Sequence, residues 1–326
     1  MTDITIDAAA APAARSVSSR SPGQLAWDRF RHDRKSVTSA WIVVAYTVLG
    51  ILAPILVAAH VLDPFTLHQN LLDANSLPTG FFGISGAHPL GVEPGLGRDV
   101  MSRLWLGLTT SLLIAALATV VSVLIGVALG IIAGMSRGWA DTLIGRLIDL
   151  VLCFPQTLML LALSATVLGF LTGFLHVPAG DFAHGLYVVI VLALFGWTNL
   201  ARIIRGQAIS LREREFIEAA KMVGSSSGRI WFREVLPNLW APILVQATLM
   251  LPAYVSAEAA LAYLGVSIQA PTPTLGNILG DSVQYANGDF AYFFLPAFLL
   301  VVIVVAFNLL GDGLRDALDP KAGRGN

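Results

Sequence analysis

The chain has 326 residues, of which 56% are hydrophobic and only 13% are charged, and its mean hydropathy is +0.73. Soluble domains carry about 25% charged residues, so this composition excludes a soluble globular protein. The net charge of -1 excludes a broad basic surface for nucleic acid, and the single cysteine, Cys153, excludes an intrachain disulfide. We therefore predict an all-α integral membrane protein, because lipid offers no partner to an unpaired backbone amide.

The N-terminal 35 residues are rich in Ala, Ser, Pro and Arg and hold no sustained apolar run. We predict a disordered cytosolic tail over 1–24 and a short amphipathic helix on the membrane surface over 25–35, so that 1–36 precede the membrane domain. The apolar run after Lys35 is long enough to span a bilayer, unlike the short apolar core of a cleaved signal peptide. The membrane domain is predicted over 37–320 and a short cytoplasmic tail over 321–326.

Six segments are apolar and long enough, at about 20 residues, to cross a bilayer as helices. Their predicted ranges are 38–62, 104–135, 147–175, 184–204, 239–266 and 291–311. Cytoplasmic segments of membrane proteins are enriched in Lys and Arg. If the N-terminus lies inside, all but Arg98 and Arg103 of the 20 Lys and Arg residues fall on the inner side, and the loops 63–103 and 268–290 lie outside. Both termini are therefore predicted to be cytoplasmic.

The second predicted span places Gly126, Gly130 and Gly134 at four-residue spacing on one helix face. Another helix can pack closely against such a face. The sequence favours packing within this subunit and leaves a role at a subunit interface open. Pro155 removes one helical hydrogen bond from the third span and is predicted to bend it.

Two acidic residues lie within predicted spans, where a charge costs about 2.5–3.5 kcal/mol and so faces protein or water. Asp149 follows Arg146 by three residues, and we predict a local ion pair between them. Glu258, in the fifth span, is a candidate either for a transport pathway or for a structural hydrogen bond. No series of acids and histidines crosses the membrane, which argues against a proton-coupled carrier.

The loop at 205–237, between the fourth and fifth spans, has a helical pattern over 211–223. Phe216, Ala219, Ala220 and Val223 form an apolar stripe on one side of this helix. On the opposite, polar side, Glu218 can pair with Arg214 and Lys221. Gly224 is predicted to end the helix, and a second short helix follows the serines at 225–227. Such a small rigid projection suits docking into a groove on another protein; the alternative is a solvated connecting loop.

This loop resembles the EAA loop of permeases of ATP-binding-cassette importers. The resemblance rests on Glu218-Ala219-Ala220, Gly224 and the pair Leu236-Pro237 at the family spacing. Glu234 departs from the general pattern, which has an apolar residue there, although peptide-type members accept a polar one. HPLGVEPGLGRDVMSRLWLG (88–107) and EAALAYLGVSIQAPTPTLGNIL (258–279) are similar to the C-type permease of dipeptide, oligopeptide and nickel importers. The resemblance covers the chain from about residue 25 to residue 320.

The resemblance implies that the loop is a coupling helix received by a cleft in an ATPase subunit. The coupling residues are then Arg214, Glu215, Glu218, Ala219, Ala220, Gly224, Leu236 and Pro237. It also implies a substrate path between the fifth helices of two permeases with a contribution from the third. The candidate path residues are Glu258, Pro155 and Asp149.

The resemblance further implies a permease subunit of an ATP-driven peptide importer in a bacterial cytoplasmic membrane. Its partners would be a second, different permease, two ATPase subunits, an extracytoplasmic substrate-binding protein and membrane lipid. No phosphate-binding GxxxxGK[ST] motif occurs, so ATP and magnesium are expected in the partner ATPases and no enzyme activity or metal site in this chain. The alternatives are nickel or glutathione as cargo, or a self-sufficient secondary carrier, for which no inverted repeat is found.

Overall fold

A computed structural model describes residues 22–318, and the regular structure of this part of the chain is helical. The helices are α1 (Pro22–His32), α2 (Arg34–Ala58), α3 (Val100–Met135), α4 (Trp139–Leu152), α5 (Gln156–Ala162), α6 (Ser164–Gly169), α7 (Asp181–Arg212), α8 (Glu215–Met222), α9 (Ser227–Arg229), α10 (Leu236–Asn238), α11 (Trp240–Tyr263), α12 (Leu275–Val283) and α13 (Phe290–Leu318). A short 3-10 turn lies at Gln69–Leu71, and π-helical segments lie at Phe170–Phe174 and Ile230–Val235. The predicted all-α fold is confirmed for these residues.

The helices that can cross a membrane agree in number with the sequence prediction. Five of them, α2, α3, α7, α11 and α13, are each long and apolar enough to do so. Helices α4 and α5 qualify only as a pair, and they meet at an angle of 80°. Counting that pair as one broken span gives the six predicted spans.

The third predicted span, 147–175, is broken and not merely bent. Helix α4 ends at Leu152 and α5 begins at Gln156, with Pro155 between them at φ -64° and ψ 110°. Proline lacks a backbone N–H and disfavours helical backbone in the residue before it, so the helical hydrogen bonds stop here. The sequence located the distortion correctly and underestimated its size. By contrast, Pro54 and Pro252 lie inside continuous helices.

Helices α3 and α7 lie against each other along a seam of three glycines. A Cβ atom would lie 2.9 Å from Trp197 O on Gly126, 2.8 Å from Ile204 Cβ on Gly130, and 2.5 Å from Ala208 Cβ on Gly134. Non-bonded carbon atoms prefer about 3.5–4.0 Å, so a side chain at any of the three positions would push α7 away. The glycines therefore serve packing within this subunit, as the sequence favoured.

Replacing Gly130 with alanine should force α3 and α7 apart, because the new Cβ would lie 2.8 Å from Ile204 Cβ. Overpacking of this kind costs about 1–3 kcal/mol, so the purified protein should unfold at a lower temperature. Gly206 on α7 is the matched control, since a Cβ there meets nothing within 4 Å. Gly206→Ala should unfold no earlier than the parent; equal midpoints for the two variants would contradict the tight seam.

The outer loop predicted over 268–290 contains a helix, α12, that the sequence analysis missed. Thr274 and Asn277 form a capping box at its start: Asn277 N donates to Thr274 Oγ1 at 3.1 Å, and Thr274 N donates to Asn277 Oδ1 at 2.9 Å. The sequence signal that indicated this helix start is a Thr followed three positions later by an amide side chain. Helix α12 packs against α3, α11 and α13, so this loop is part of the folded body.

The other predicted outer loop, 63–103, contains a buried ionic cluster. Glu93, only 2% exposed, makes ion pairs with Arg98 and Arg103, the latter at 2.8 Å between Arg103 Nε and Glu93 Oε2. Tyr292 at the start of α13 donates its hydroxyl to Glu93 Oε2 at 3.3 Å. The two basic residues left on the predicted outer side thus compensate one buried acid and fasten the loop to α13.

The predicted N-terminal amphipathic segment is helical and begins earlier than expected, at Pro22. Asp33 separates α1 from α2 and caps α2, because its carboxylate accepts hydrogen bonds from Lys35 N and Ser36 N. Hydrogen bonding from the Ser36 hydroxyl lowers the pKa of Asp33. The predicted tails fall largely on 1–21 and 319–326, outside the described residues.

Candidate functional site

The loop between α7 and α11 is a helical hairpin built on the extended end of α7. Helix α7 continues to Arg212, so α8 begins at Glu215, four residues later than the predicted start at 211. Arg212 donates to Gly134 O at 3.1 Å and to Ser136 O at 2.8 Å. These carbonyl groups end α3, so the guanidinium group fixes the base of the loop to the glycine seam.

One side chain of α8 anchors it to the rest of the chain. Ile217 is completely buried and belongs to an apolar cluster with Ile204 of α7, Ile131 of α3 and Ile243 of α11. Fully burying an isoleucine stabilises the contact by about 1.5–3 kcal/mol. The cluster therefore joins α8 to three of the membrane-spanning helices.

The opposite face of α8 is apolar and exposed. The exposed fraction is 84% for Met222 and 85% for Val223, while Phe216 is 40% exposed. Of the predicted stripe, Phe216, Ala219 and Val223 are exposed, whereas Ala220 is half-buried and packs against the Ile217 cluster. Since Ile217 lies outside that stripe, it was not identified from the sequence. Large exposed apolar side chains at a helix end are typical of a surface that another protein covers.

Gly224 ends α8 in a Schellman motif, as its predicted role requires. Its φ is +82°, Gly224 N donates to Lys221 O at 2.9 Å, and Ser225 N donates to Ala220 O at 3.0 Å. This pairing satisfies the last carbonyl groups of the helix. A Cβ on Gly224 would meet nothing within 4 Å, so the space beside the turn is open.

The returning arm of the hairpin runs through α9, the π-helical segment and α10 into α11. Ile230 and Val235 are buried in the Ile217 cluster, whereas Phe232 is 71% exposed. Pro237 stands in the first turn of α10, where its missing N–H costs no hydrogen bond. Leu236 packs against the same cluster, so the Leu-Pro pair holds the arm in place.

The charged side chains of α8 do not pair as predicted. Among the residues that the structure describes, no ion pair within 4.0 Å joins Glu218 to Arg214 or Lys221. All three residues are exposed, as is Glu215. Their charges therefore face the surroundings of the chain and not its core.

The candidate path residues lie on different elements: Asp149 on α4, Pro155 between α4 and α5, and Glu258 on α11. Pro155 lies at the break between α4 and α5. Asp149 pairs with Arg202 of α7, at 2.7 Å between Asp149 Oδ1 and Arg202 Nη2, so the predicted pairing with Arg146 was wrong. Packing of α4 on α7 brings these residues together from 53 positions apart, and the local pattern held no sign of it.

Glu258 lies inside the subunit and is completely buried. Its carboxyl group accepts hydrogen bonds from Ser111 Oγ at 2.8 Å and from Ser267 Oγ at 3.0 Å. Ser111 Oγ in turn accepts the backbone N–H of Leu275, the first residue of α12, at 3.1 Å. This clasp, defined by Glu258, Ser111, Ser267 and Leu275, ties α11 to α3 and α12, and the two serines were not identified from the sequence.

Replacing Glu258 with leucine should destabilise the protein, because Ser111 and Ser267 would each lose a buried partner. A buried polar group left unpaired costs about 1–3 kcal/mol. Glu258→Gln is the matched control, since it keeps an oxygen acceptor at the same place. Thermal unfolding and the yield of folded protein measure the effect. A leucine variant of unchanged stability that no longer transports solute would instead support a role in the path.

Comparison with known proteins agrees with this architecture. A family model described as "Binding-protein-dependent transport system inner membrane component" matches residues 126–324, and the "N-terminal TM domain of oligopeptide transport permease C" matches 21–78. The fold and the matched segments define a multi-pass membrane component of a transport system. The chain belongs to the inner-membrane permease family of ATP-binding-cassette importers, which places it in the plasma membrane.

Several curated relatives extend over nearly the whole chain. The dipeptide transport system permease protein DppC of Alkalihalophilus pseudofirmus is 34% identical over 92% of this chain and 90% of its own. The oligopeptide transport system permease protein OppC of Bacillus subtilis is 33% identical over 90% and 88%. The glutathione transport system permease protein GsiD of Shigella flexneri is 36% identical over 93% and 91%.

A solved structure of the MetNI methionine ABC transporter in an inward-facing conformation shares the fold. Its TM-score is 0.52 at 19% sequence identity, and the match covers 67% of this chain and 97% of that chain. At this identity the likeness concerns the fold alone.

Proposed function

We propose that this chain is one of two different permease subunits of a peptide importer, and that α8 is its coupling helix. The observation that carries this proposal is the geometry of α8: a Schellman-capped helix anchored through Ile217 and exposing Met222 and Val223 at its tip. One of two ATPase subunits, which bind ATP and magnesium, receives that tip. A substrate-binding protein on the outer side delivers the cargo, and this subunit does not hydrolyse ATP.

Movement of α8 reaches the membrane because its support is continuous. The first arm of the hairpin is the end of α7, and the second leads through α10 into α11. The Ile217 cluster and the Arg212 hydrogen bonds to the end of α3 make these three helices follow the hairpin as one body. Closure of the ATPase subunits on ATP binding therefore moves these three spans together relative to the second permease, which is the coupling of two distant sites.

The cargo proposed is a dipeptide or a short oligopeptide. DppC and OppC relatives, named for dipeptide and oligopeptide transport, support this class. Glutathione, itself a tripeptide, is the second candidate, because GsiD is as similar to this chain as the others.

Gly224→Trp should abolish uptake and leave the assembled protein in the membrane. A Cβ at Gly224 would meet nothing within 4 Å in this subunit, so the indole would extend into the open space that the docked ATPase is proposed to occupy. Uptake of a labelled dipeptide measures the effect, and competition by unlabelled tetrapeptide, glutathione or nickel ion tests the cargo class.

The control for this substitution is Gly138→Trp. Gly138, in the turn between α3 and α4, also has a positive φ of +87° and open surroundings, and it lies outside the hairpin itself. We expect this control to retain uptake. Normal uptake by the Gly224→Trp variant would contradict the proposal that α8 is the coupling helix.

The proposed topology places both termini and the hairpin in the cytoplasm. After Cys153 is replaced with serine, single cysteines at Ala74, Ala179 and Ser226 can be labelled with an impermeant thiol reagent; all three positions are exposed. Ala74→Cys and Ala179→Cys should react in intact cells, and Ser226→Cys only in inside-out vesicles. Reaction of the Ala74 and Ala179 variants from opposite sides would mean that the broken pair α4–α5 does not cross the membrane, because only α3 would then separate the two positions.

A further inference from the structure

A groove lies between the first turns of α2 and the second half of α13. Its volume is about 510 Å³, and it is open along one side. Its lining includes Arg34, Lys35, Ile42, Val301, Val305 and Leu309. Gly313 packs against Ser36, so the two helices run antiparallel and Leu309 lies near the charged end of the groove.

The groove has one cationic end and apolar walls. Arg34 and Lys35 are exposed at one end, and the walls beyond them are aliphatic except for Thr38 and Ser39 of α2. No carboxylate lines the described groove. The nearest acid in the sequence is Asp33, whose carboxylate caps α2. The charged residues of α13 begin at Asp312, beyond the last lining residue, Leu309.

The dimensions of the groove match one leaflet of a membrane. Arg34 and Ile42 are eight residues apart, which corresponds to about 12 Å along a helix. The hydrocarbon of one leaflet is about 15 Å thick, half of the usual 30 Å. An acyl chain lying along the groove would therefore keep its headgroup beside Arg34 and Lys35.

Two tryptophans indicate that this end of α2 lies at the membrane surface. Trp27 on α1 and Trp41 on α2 are 58% and 69% exposed, and both line a second groove on the other side of α2. Exposed tryptophans concentrate at the headgroup level of bilayers. Trp41 lies about 9 Å beyond Lys35 along α2, so Arg34 and Lys35 lie nearer to the headgroups than that ring does.

From this arrangement we infer that the groove binds an anionic phospholipid. The phosphate lies against Arg34 and Lys35, and one acyl chain packs along Ile42, Val301, Val305 and Leu309. Basic sites between membrane helices are suited to anionic headgroups, and the apolar walls require that the ligand carry a hydrocarbon chain. The inference rests on membrane insertion and is independent of the role of α8.

The test uses the assembled transporter in nanodiscs of phosphatidylcholine that contain a small fraction of phosphatidylglycerol. Native mass spectrometry after release counts the lipids that remain bound. We expect the parent protein to retain phosphatidylglycerol preferentially, and R34Q/K35Q to lose this preference by roughly tenfold or more. Val305→Trp, which fills the apolar wall and keeps both charges, should also reduce retention.

The matched control is R137Q/R146Q, which removes two exposed basic residues from the turn and helix that follow α3. It should retain phosphatidylglycerol as the parent does. Equal retention of the two lipids by the parent, full retention by R34Q/K35Q, or the same loss in the control would each overturn the assignment. Absence of bound lipid because another subunit covers the groove would overturn it as well.

Discussion

The close contact of α3 with α7 is the constraint on which the rest of the architecture depends. Because three glycines let the backbones approach, the C-terminal ends of the two helices lie near enough for Arg212 to reach the last carbonyl groups of α3. The position of the end of α7 in turn fixes the position of the hairpin that follows it. The Ile217 cluster, which draws on α3, α7 and α11, can form only on a base held in this way.

Polar contacts hold the opposite half of the bundle. There the Glu258 clasp joins α11 to α3 and α12, while Glu93 fastens the loop before α3 to α13. Hydrogen bonds and ion pairs buried from water are costly to leave incomplete. The bundle is thus joined by close backbone packing at the end that carries the hairpin and by polar side chains at the other, so a push on α8 meets a body that moves as a unit.

Features set by neighbouring residues were predictable from the sequence, and features set by distant contacts were not. The glycine face of α3, the stop at Gly224 and the distortion at Pro155 each depend on a few adjacent positions. The partner of Glu258, Ser111, lies 147 residues away, and Arg202 lies 53 residues from Asp149, so no local periodicity reveals either. Ile217 was missed for a related reason. Helix α8 carries apolar side chains on two faces, and its packing against α7, which the sequence pattern does not reveal, decides which face is buried.

The Schellman end of α8 has a consequence for the proposed coupling role, in which α8 attaches to an ATPase subunit and detaches from it repeatedly. Its terminal amides and carbonyl groups already find partners within the hairpin, through Gly224 N and Ser225 N. When α8 leaves a receptor cleft, these backbone groups therefore keep their hydrogen bonds. What changes with each cycle is the hydration of a few side chains, chiefly Met222 and Val223. A contact of that kind is reversible with a small free-energy difference, as a part that moves with every turnover requires.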